Sequence, residues 1–184
     1  MATLLQTLPQ GKITREEVNR LLESGYFDGQ RFELIDGELI NKMGQGPRHA
    51  NAIQLLLEML VEVFGVRRTL VQAPIEAGPR DQRWSQPEPD ISVIAAARRP
   101  ADRHPNGAEL LLAIEVADSS LRQDSVRKRD MYAHAGVPEY WVLDIDGRQL
   151  LVFRNLENET YTEQLTLSET DLAPHIEKPI AELL

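Results

Sequence analysis

Two apolar stretches of this chain each carry one carboxylate where a core strand would otherwise have none. Pro89-Asp90-Ile91-Ser92-Val93-Ile94 opens on an acid, and Leu110-Leu111-Leu112-Ala113-Ile114-Glu115-Val116 holds one at its heart. Runs so short and so apolar read as adjacent buried strands. An ionised carboxylate in such a place costs several kcal/mol unless something positive compensates it. Two of them on neighbouring strands point to a divalent metal site.

The rest of the composition sets bounds around that pair. A length of 184 residues with 42% hydrophobic and 27% charged content fits one globular domain with a proper core. There is no cysteine, which excludes disulfides, thiolate metal sites and cysteine nucleophiles. The first residues lack the basic start and apolar stretch of a signal peptide, and no run is apolar for long enough to span a bilayer. The expectation is a soluble, cytoplasmic protein with no membrane partner. A formal net charge of −9 argues against coating nucleic acid by charge alone. The charge is uneven, however: Val66 to Arg129 has 11 bases against 9 acids, whereas Ile145 to the end has 3 against 8. The middle, which carries Asp90 and Glu115, is the least acidic part, although scatter on a solvated surface explains so small an excess equally well.

Thr14-Arg15-Glu16-Glu17 is a capping box, and the spacing of Val18, Leu21 and Leu22 continues a short helix that Gly25 stops. Strand-like runs at 31–35 and 38–43 flank Asp36-Gly37, a hairpin turn signal. The loop Gly44-Gln45-Gly46-Pro47 leads into a helix over 49–64, where Ile53, Leu56, Leu57, Leu60, Val61 and Phe64 fall at helical spacing. A strand is expected over 69–77, then a polar loop over 78–86, then the two carboxylate-bearing strands joined by a basic loop at Arg98-Arg99-Pro100. Ser119-Ser120 can cap a helix from Leu121 to about Ala135, ended by Gly136. A strand over 139–144 turns at Asp146-Gly147 into another over 149–153, with an edge strand over 160–165. A helix crossing between strands implies a mixed sheet flanked by helices, an α/β or α+β single domain.

From Pro89 to Trp141 the order of residues resembles the PD-(D/E)xK nuclease superfamily, and within it the large family described as putative restriction endonucleases. The specific stretch is Ile114-Glu115-Val116-Ala117-Asp118-Ser119-Ser120, followed by Asp124, Lys128, Tyr132 and Ala135-Gly136-Val137-Pro138-Glu139-Tyr140-Trp141, then Asp144. An earlier block, Arg31-Phe32-Glu33-Leu34-Ile35-Asp36-Gly37-Glu38, with His49 starting the next helix, is similar too. The resemblance covers roughly residues 12 to 155 and implies a restriction endonuclease-like core over about 31–155 with an N-terminal hairpin and a C-terminal hairpin extension. It implies that Asp90, Glu115 and the backbone carbonyl of Val116 hold Mg²⁺, with Mn²⁺ as a substitute, and that a lysine orients or activates the attacking water. The motif's usual lysine position, two residues after the glutamate, is Ala117 here, so the amine falls to Lys128 on the following helix. Arg127 and Arg129 point in other directions on a helix, and a guanidinium suits water activation less well than an amine. Glu38 is a candidate to approach the metals from the hairpin, and His49 to place a phosphate or the nucleophilic water. Glu33 is a weaker candidate, and Tyr132, Tyr140 and Trp141 are assigned to packing.

Each candidate has a plainer reading. Asp90 could cap a strand end, Glu115 could form a structural salt bridge with Lys128, and Lys128 could be a solvated helix residue. Glu38 could be an exposed strand glutamate and His49 a surface residue or a local hydrogen-bond partner. The function expected is therefore a Mg²⁺-dependent endonuclease acting on DNA. Its alternative is an inactive nuclease-fold scaffold that binds protein or nucleic acid. A single small site cuts one strand, so double-strand cleavage implies a homodimer. No base-reading helix is visible, so the target sequence stays open.

Overall fold

The computed structural model describes residues 11–27, 32–42, 46–96 and 103–184. The expected loop at Arg98-Arg99-Pro100, the loop residues Gly44 and Gln45, the expected strand ends Arg31 and Met43, and residues 1–10 lie outside that set. Helix α1 (Arg15–Glu23) starts at the expected capping box, with Thr14 and Glu17 each binding the other's backbone N–H. Strands β1 (Phe32–Ile35) and β2 (Glu38–Asn41) form an antiparallel hairpin in which Ile35 pairs with Glu38. Its turn needs positive φ at two residues, and Asp36 and Gly37 supply it at 50° and 81°. Helix α2 (Pro47–Phe64) begins two residues earlier than the apolar spacing predicts, because Pro47 fits the first helical turn, where its missing N–H costs nothing.

The main sheet has six strands in the order β3 (Thr69–Val71), β4 (Ile91–Ile94), β5 (Leu110–Ala117), β6 (Tyr140–Asp144), β7 (Gln149–Glu157) and β8 (Thr160–Ser168). All neighbours are antiparallel except β5 and β6. That parallel pair needs a crossover, and the helical segment that ends in α3 (Arg129–His134) provides it. The expected strand over 69–77 stops at Val71: Gln72 turns to a φ of 47°, and Pro74 has no N–H for a ladder. At the other edge β8 runs to Ser168, three residues beyond the expected Leu165.

Alternation along β5 sends its side chains to two different layers. Leu112, Ile114 and Val116 pack with α2, whose stripe of Ala52, Ile53, Leu56 and Leu60 covers that face. Each fully buried leucine in the stripe stabilises the fold by about 1.5–3 kcal/mol. The C-terminal segment adds Ala173, Ile176, Ile180 and Leu183 to the same layer. On the opposite face Ala113 and Ala117 pack with Tyr132, Tyr140 and Phe153 under the crossover helix. A third, smaller cluster of Ile13, Val18, Phe27 and Leu34 joins α1 to the hairpin. That unit docks on the loop before β4 through Gln86 N–H to the Leu34 carbonyl at 2.8 Å and Gly37 N–H to the Trp84 carbonyl at 2.6 Å. Among the described residues no helix is long and apolar enough to cross a membrane.

Candidate active site

Strand register decides where the two buried acids meet. Ile91 pairs with Ile114, so one further step along the antiparallel ladder sets Asp90 opposite Glu115. The Val116 N–H donates to Asp90 Oδ2 at 3.0 Å, fixing that carboxylate to the next residue of β5. Both acids are buried, each only 2% exposed. Glu115 points to the crossover side, where the Tyr132 hydroxyl donates to its Oε1 at 2.7 Å. Tyr132, expected only to pack, therefore also orients a site carboxylate.

Lys128 reaches the same spot from a wide helical turn. Residues Gln123–Lys128 form a π-type segment directly before α3, an irregularity that recurs at functional sites. Its ammonium lies 2.8 Å from Glu33, 2.9 Å from Glu115 and 3.5 Å from Asp124. Lys128 is thus buried, and the solvated-helix reading is set aside. Ser120 directly precedes the helix, where a cap was expected, and its hydroxyl donates to the Asp124 side chain, while the Tyr140 hydroxyl holds the Asp124 carbonyl at 3.0 Å. Arg127 and Arg129 face away, as helical periodicity requires. Arg127 binds Asp36 and Glu38 at 2.8 and 2.7 Å, and Arg129 lies over Phe153.

From the hairpin it is the weaker candidate Glu33, joined by Lys42, that reaches the cleft, and not Glu38. Glu38 sits beside the turn, 64% exposed and ion-paired with Arg127, and it does not line the cleft. Glu33, on the same face of the hairpin but farther from the turn, is buried, and its Oε1 accepts the Glu88 N–H at 2.9 Å. Lys42, just past β2, donates to the Glu88 carbonyl and lies 3.6 Å from Asp90 Oδ1. Glu33 and Lys42 therefore grip the two sides of one residue, two positions before Asp90. His49 is the first member of the buried stripe of α2, 8% exposed, and its Nε2 lies 3.3 Å from Asp90 Oδ2. The stripe runs 49, 52, 53, 56, 60, and that spacing could have marked His49 as buried.

The electrostatics follow from this packing. Burial alone would raise the Asp90 carboxyl, but His49, the Lys42 ammonium and the Val116 N–H outweigh it and hold the group at about 2. Glu115 goes the other way: burial pushes its carboxyl well above the ordinary range, despite Lys128 and Lys42. Burial also works against the charge on Lys128, yet Glu115, Glu33 and Asp124 overcome it and hold the ammonium well above the ordinary lysine value. Lys42 is raised too, with burial opposed by Glu115 and Glu33. Two carboxylates side by side in such different environments divide the labour: one keeps its charge and the other resists it.

These groups surround a cleft of about 300 Å³ lined by Glu33, Lys42, His49, Asp90, Glu115 and Lys128, with Val116 and Asp124. Its chemistry fits a hard cation. Among the described residues Asp90 Oδ1 has no hydrogen-bond partner, and it is buried next to a second carboxylate and the Val116 peptide. Mg²⁺ uses one or two carboxylates and keeps waters that a phosphate can replace, rather than demanding a full protein cage. Among the described residues no three His, Asp or Glu groups form such a cage.

A six-stranded mixed sheet with two acids on adjacent strands at its centre, helices on both faces and a lysine from the crossover defines a restriction endonuclease-like protein. The chain belongs to the Uma2 family, described as putative restriction endonucleases, which it matches over residues 15–177. A crystal structure of a putative nuclease belonging to DUF820 from Anabaena variabilis has the same fold, with a TM-score of 0.70 at 20% identity. That match covers 93% of this chain and 97% of the other. No curated protein matches the chain.

Proposed function

We propose that this protein is a Mg²⁺-dependent nuclease that hydrolyses phosphodiester bonds in DNA. The observation that carries the reading is the pair Asp90 and Glu115, buried side by side, with one Asp90 oxygen left without a hydrogen-bond partner among the described residues. Asp90, Glu115 and the Val116 carbonyl would hold the ion, with Mn²⁺ as a substitute. A bound Mg²⁺ supplies a more acidic water and offsets charge on the phosphate. The chain's own residues set the stage. Val116 N–H and His49 fix Asp90, and Tyr132 and Lys128 fix Glu115. The Lys128 ammonium, surrounded by three carboxylates, keeps its protons and acts by charge and orientation, not as a base. Hydrolysis adds the water's OH to phosphorus and its proton to the departing oxygen. One such site cuts one strand, so cutting a duplex calls for two copies of the chain, and light scattering at micromolar concentration tests for a homodimer.

The test is nicking of supercoiled plasmid by wild type, Asp90→Asn and Glu115→Gln, alongside calorimetric titration of Mg²⁺. Nicking that needs Mg²⁺ or Mn²⁺ and vanishes in both variants supports the reading. Intact plasmid, with no Mg²⁺ heat that Glu115→Ala abolishes, rejects it. A second reading has one observation in its favour. Lys128 already lies between Glu33 and Glu115, as in a scaffold that keeps the fold and binds nucleic acid or protein without cutting. In that case plasmid is bound and stays whole.

A further inference from the structure

We propose that Lys42, on the N-terminal hairpin, is the catalytic cation that contacts the nonbridging oxygens of the phosphodiester, and that Lys128 is a positioning residue. This rests on the nuclease reading above and assigns the substrate-contacting amine within it.

The argument is one of donor capacity. A lysine ammonium has three N–H donors. The Lys128 ammonium is ion-paired with three carboxylates within 3.5 Å, so an incoming phosphate would have to displace an acid already in place. Lys42 is placed otherwise. Among the described residues it donates one hydrogen bond, to the Glu88 carbonyl, and its carboxylate neighbour Asp90 stands off at 3.6 Å. Its side chain is 9% exposed and lines the cleft, so it keeps donors beside the space a substrate must enter. The arginines nearby are already engaged: Arg48 pairs with Asp146 at 2.8 Å and Asp118 at 3.4 Å, and Arg127 with Asp36 and Glu38. Lys42 is also held from behind. The Glu88 bond anchors its ammonium to the peptide chain that carries Asp90, so cation and acid share one rigid frame. An ammonium preset beside a reacting phosphate acts without reorganising during the reaction.

The absence of cysteine makes a clean test possible. Lys42→Cys can be alkylated with 2-bromoethylamine, which restores an amine at nearly the original length, or with iodoacetamide, which does not. Two readouts are taken on each product and on Lys42→Met. The first is calorimetric binding of thymidine 3′,5′-bisphosphate without added metal, and the second is single-turnover nicking with Mg²⁺. Losing the amine is expected to weaken bisphosphate binding about tenfold or more, the worth of one charge-assisted hydrogen bond. The nicking rate should fall on the order of 10²-fold. Aminoethylation should restore both, and carbamidomethylation neither. Comparing the two alkylated forms of one protein preparation keeps the test decisive even if Lys42→Met folds poorly. If wild type nicks DNA and Lys42→Met binds and cuts as well, the assignment of Lys42 is overturned while the nuclease reading stands. Should wild type neither bind the bisphosphate nor nick DNA, both fall together.

Discussion

Lys128 is enclosed by acids in a place water hardly reaches, and that fixes the consequence of removing it. Lys128→Met takes the nearest counter-charge from buried Glu33, Glu115 and Asp124 and should cost about 3–5 kcal/mol in urea unfolding. Adding Glu33→Gln to that variant should recover part of the loss, since it removes one of the stranded charges. Asp90 gives the site a pH signature. Its carboxyl lies at about 2 against an ordinary 3.8, so its stabilisation is complete above 3.8 and disappears as pH falls through about 2. That shift corresponds to about 2 kcal/mol. Unfolding measured down the acid limb should show the gap between wild type and Asp90→Asn closing over that window. Asp90, Glu115 and Lys128 were legible in the sequence because a charge inside an apolar run, or at a fixed distance along a family pattern, stands out. Glu33 stood out only weakly and Lys42 not at all, because a short hairpin alternates charged and apolar residues whether or not its charges are buried. Glu33 and Glu38 even share a face, since Glu33 pairs with Ile40 and Ile35 with Glu38. Only the distance from the turn separates the buried acid from the exposed one, and a pattern of period two carries no such distance.

The hairpin is the element on which the site depends most. It reaches the sheet through backbone bonds to Trp84 and Gln86, and through Glu33 and Lys42 on either side of Glu88. Gly37→Ala attacks that docking at its tip. The residue has a φ of 81°, and an added Cβ would lie 2.6 Å from the Lys12 Cβ. The substitution should cost about 1–3 kcal/mol by denaturant titration. It should also weaken Mg²⁺ binding, measured calorimetrically, without changing the secondary structure of the main sheet. The turn itself was legible, because Asp-Gly is a chemical requirement of the backbone. The π-type turn over Gln123–Lys128 was not: the cap and the stop at Gly136 mark where a helix begins and ends, and neither reports the width of a turn inside it.

Across the sheet, the parallel β5–β6 pair was implied by a helix falling between two strands. The closing of the α2 layer by the C-terminal segment was hidden in the sequence, because Ala173, Ile176, Ile180 and Leu183 fall at helical steps while Pro174 and Pro179 interrupt any continuous helix there. That segment carries His175, which stacks on Trp141 and faces Glu139 at 3.3 Å. The Glu139 contact raises the imidazole above 6.5, so its stabilisation is full below 6.5 and fades as pH rises through the higher folded value. With the side chain 43% exposed the effect stays small. In a Trp84→Phe background, Trp141 fluorescence should titrate with a midpoint above 6.5, and His175→Gln should abolish the step. The small third core has the widest consequence. Ile13, Val18, Phe27 and Leu34 pack apart from the two layers of the sheet, yet the unit they hold contributes Glu33 and Lys42 to the cleft. A unit with so little apolar area opens at a lower free energy than the body it leans on. Heating should therefore silence the protein before it melts, with the midpoint of lost nicking several degrees below the calorimetric transition, and brief cooling should return all of it.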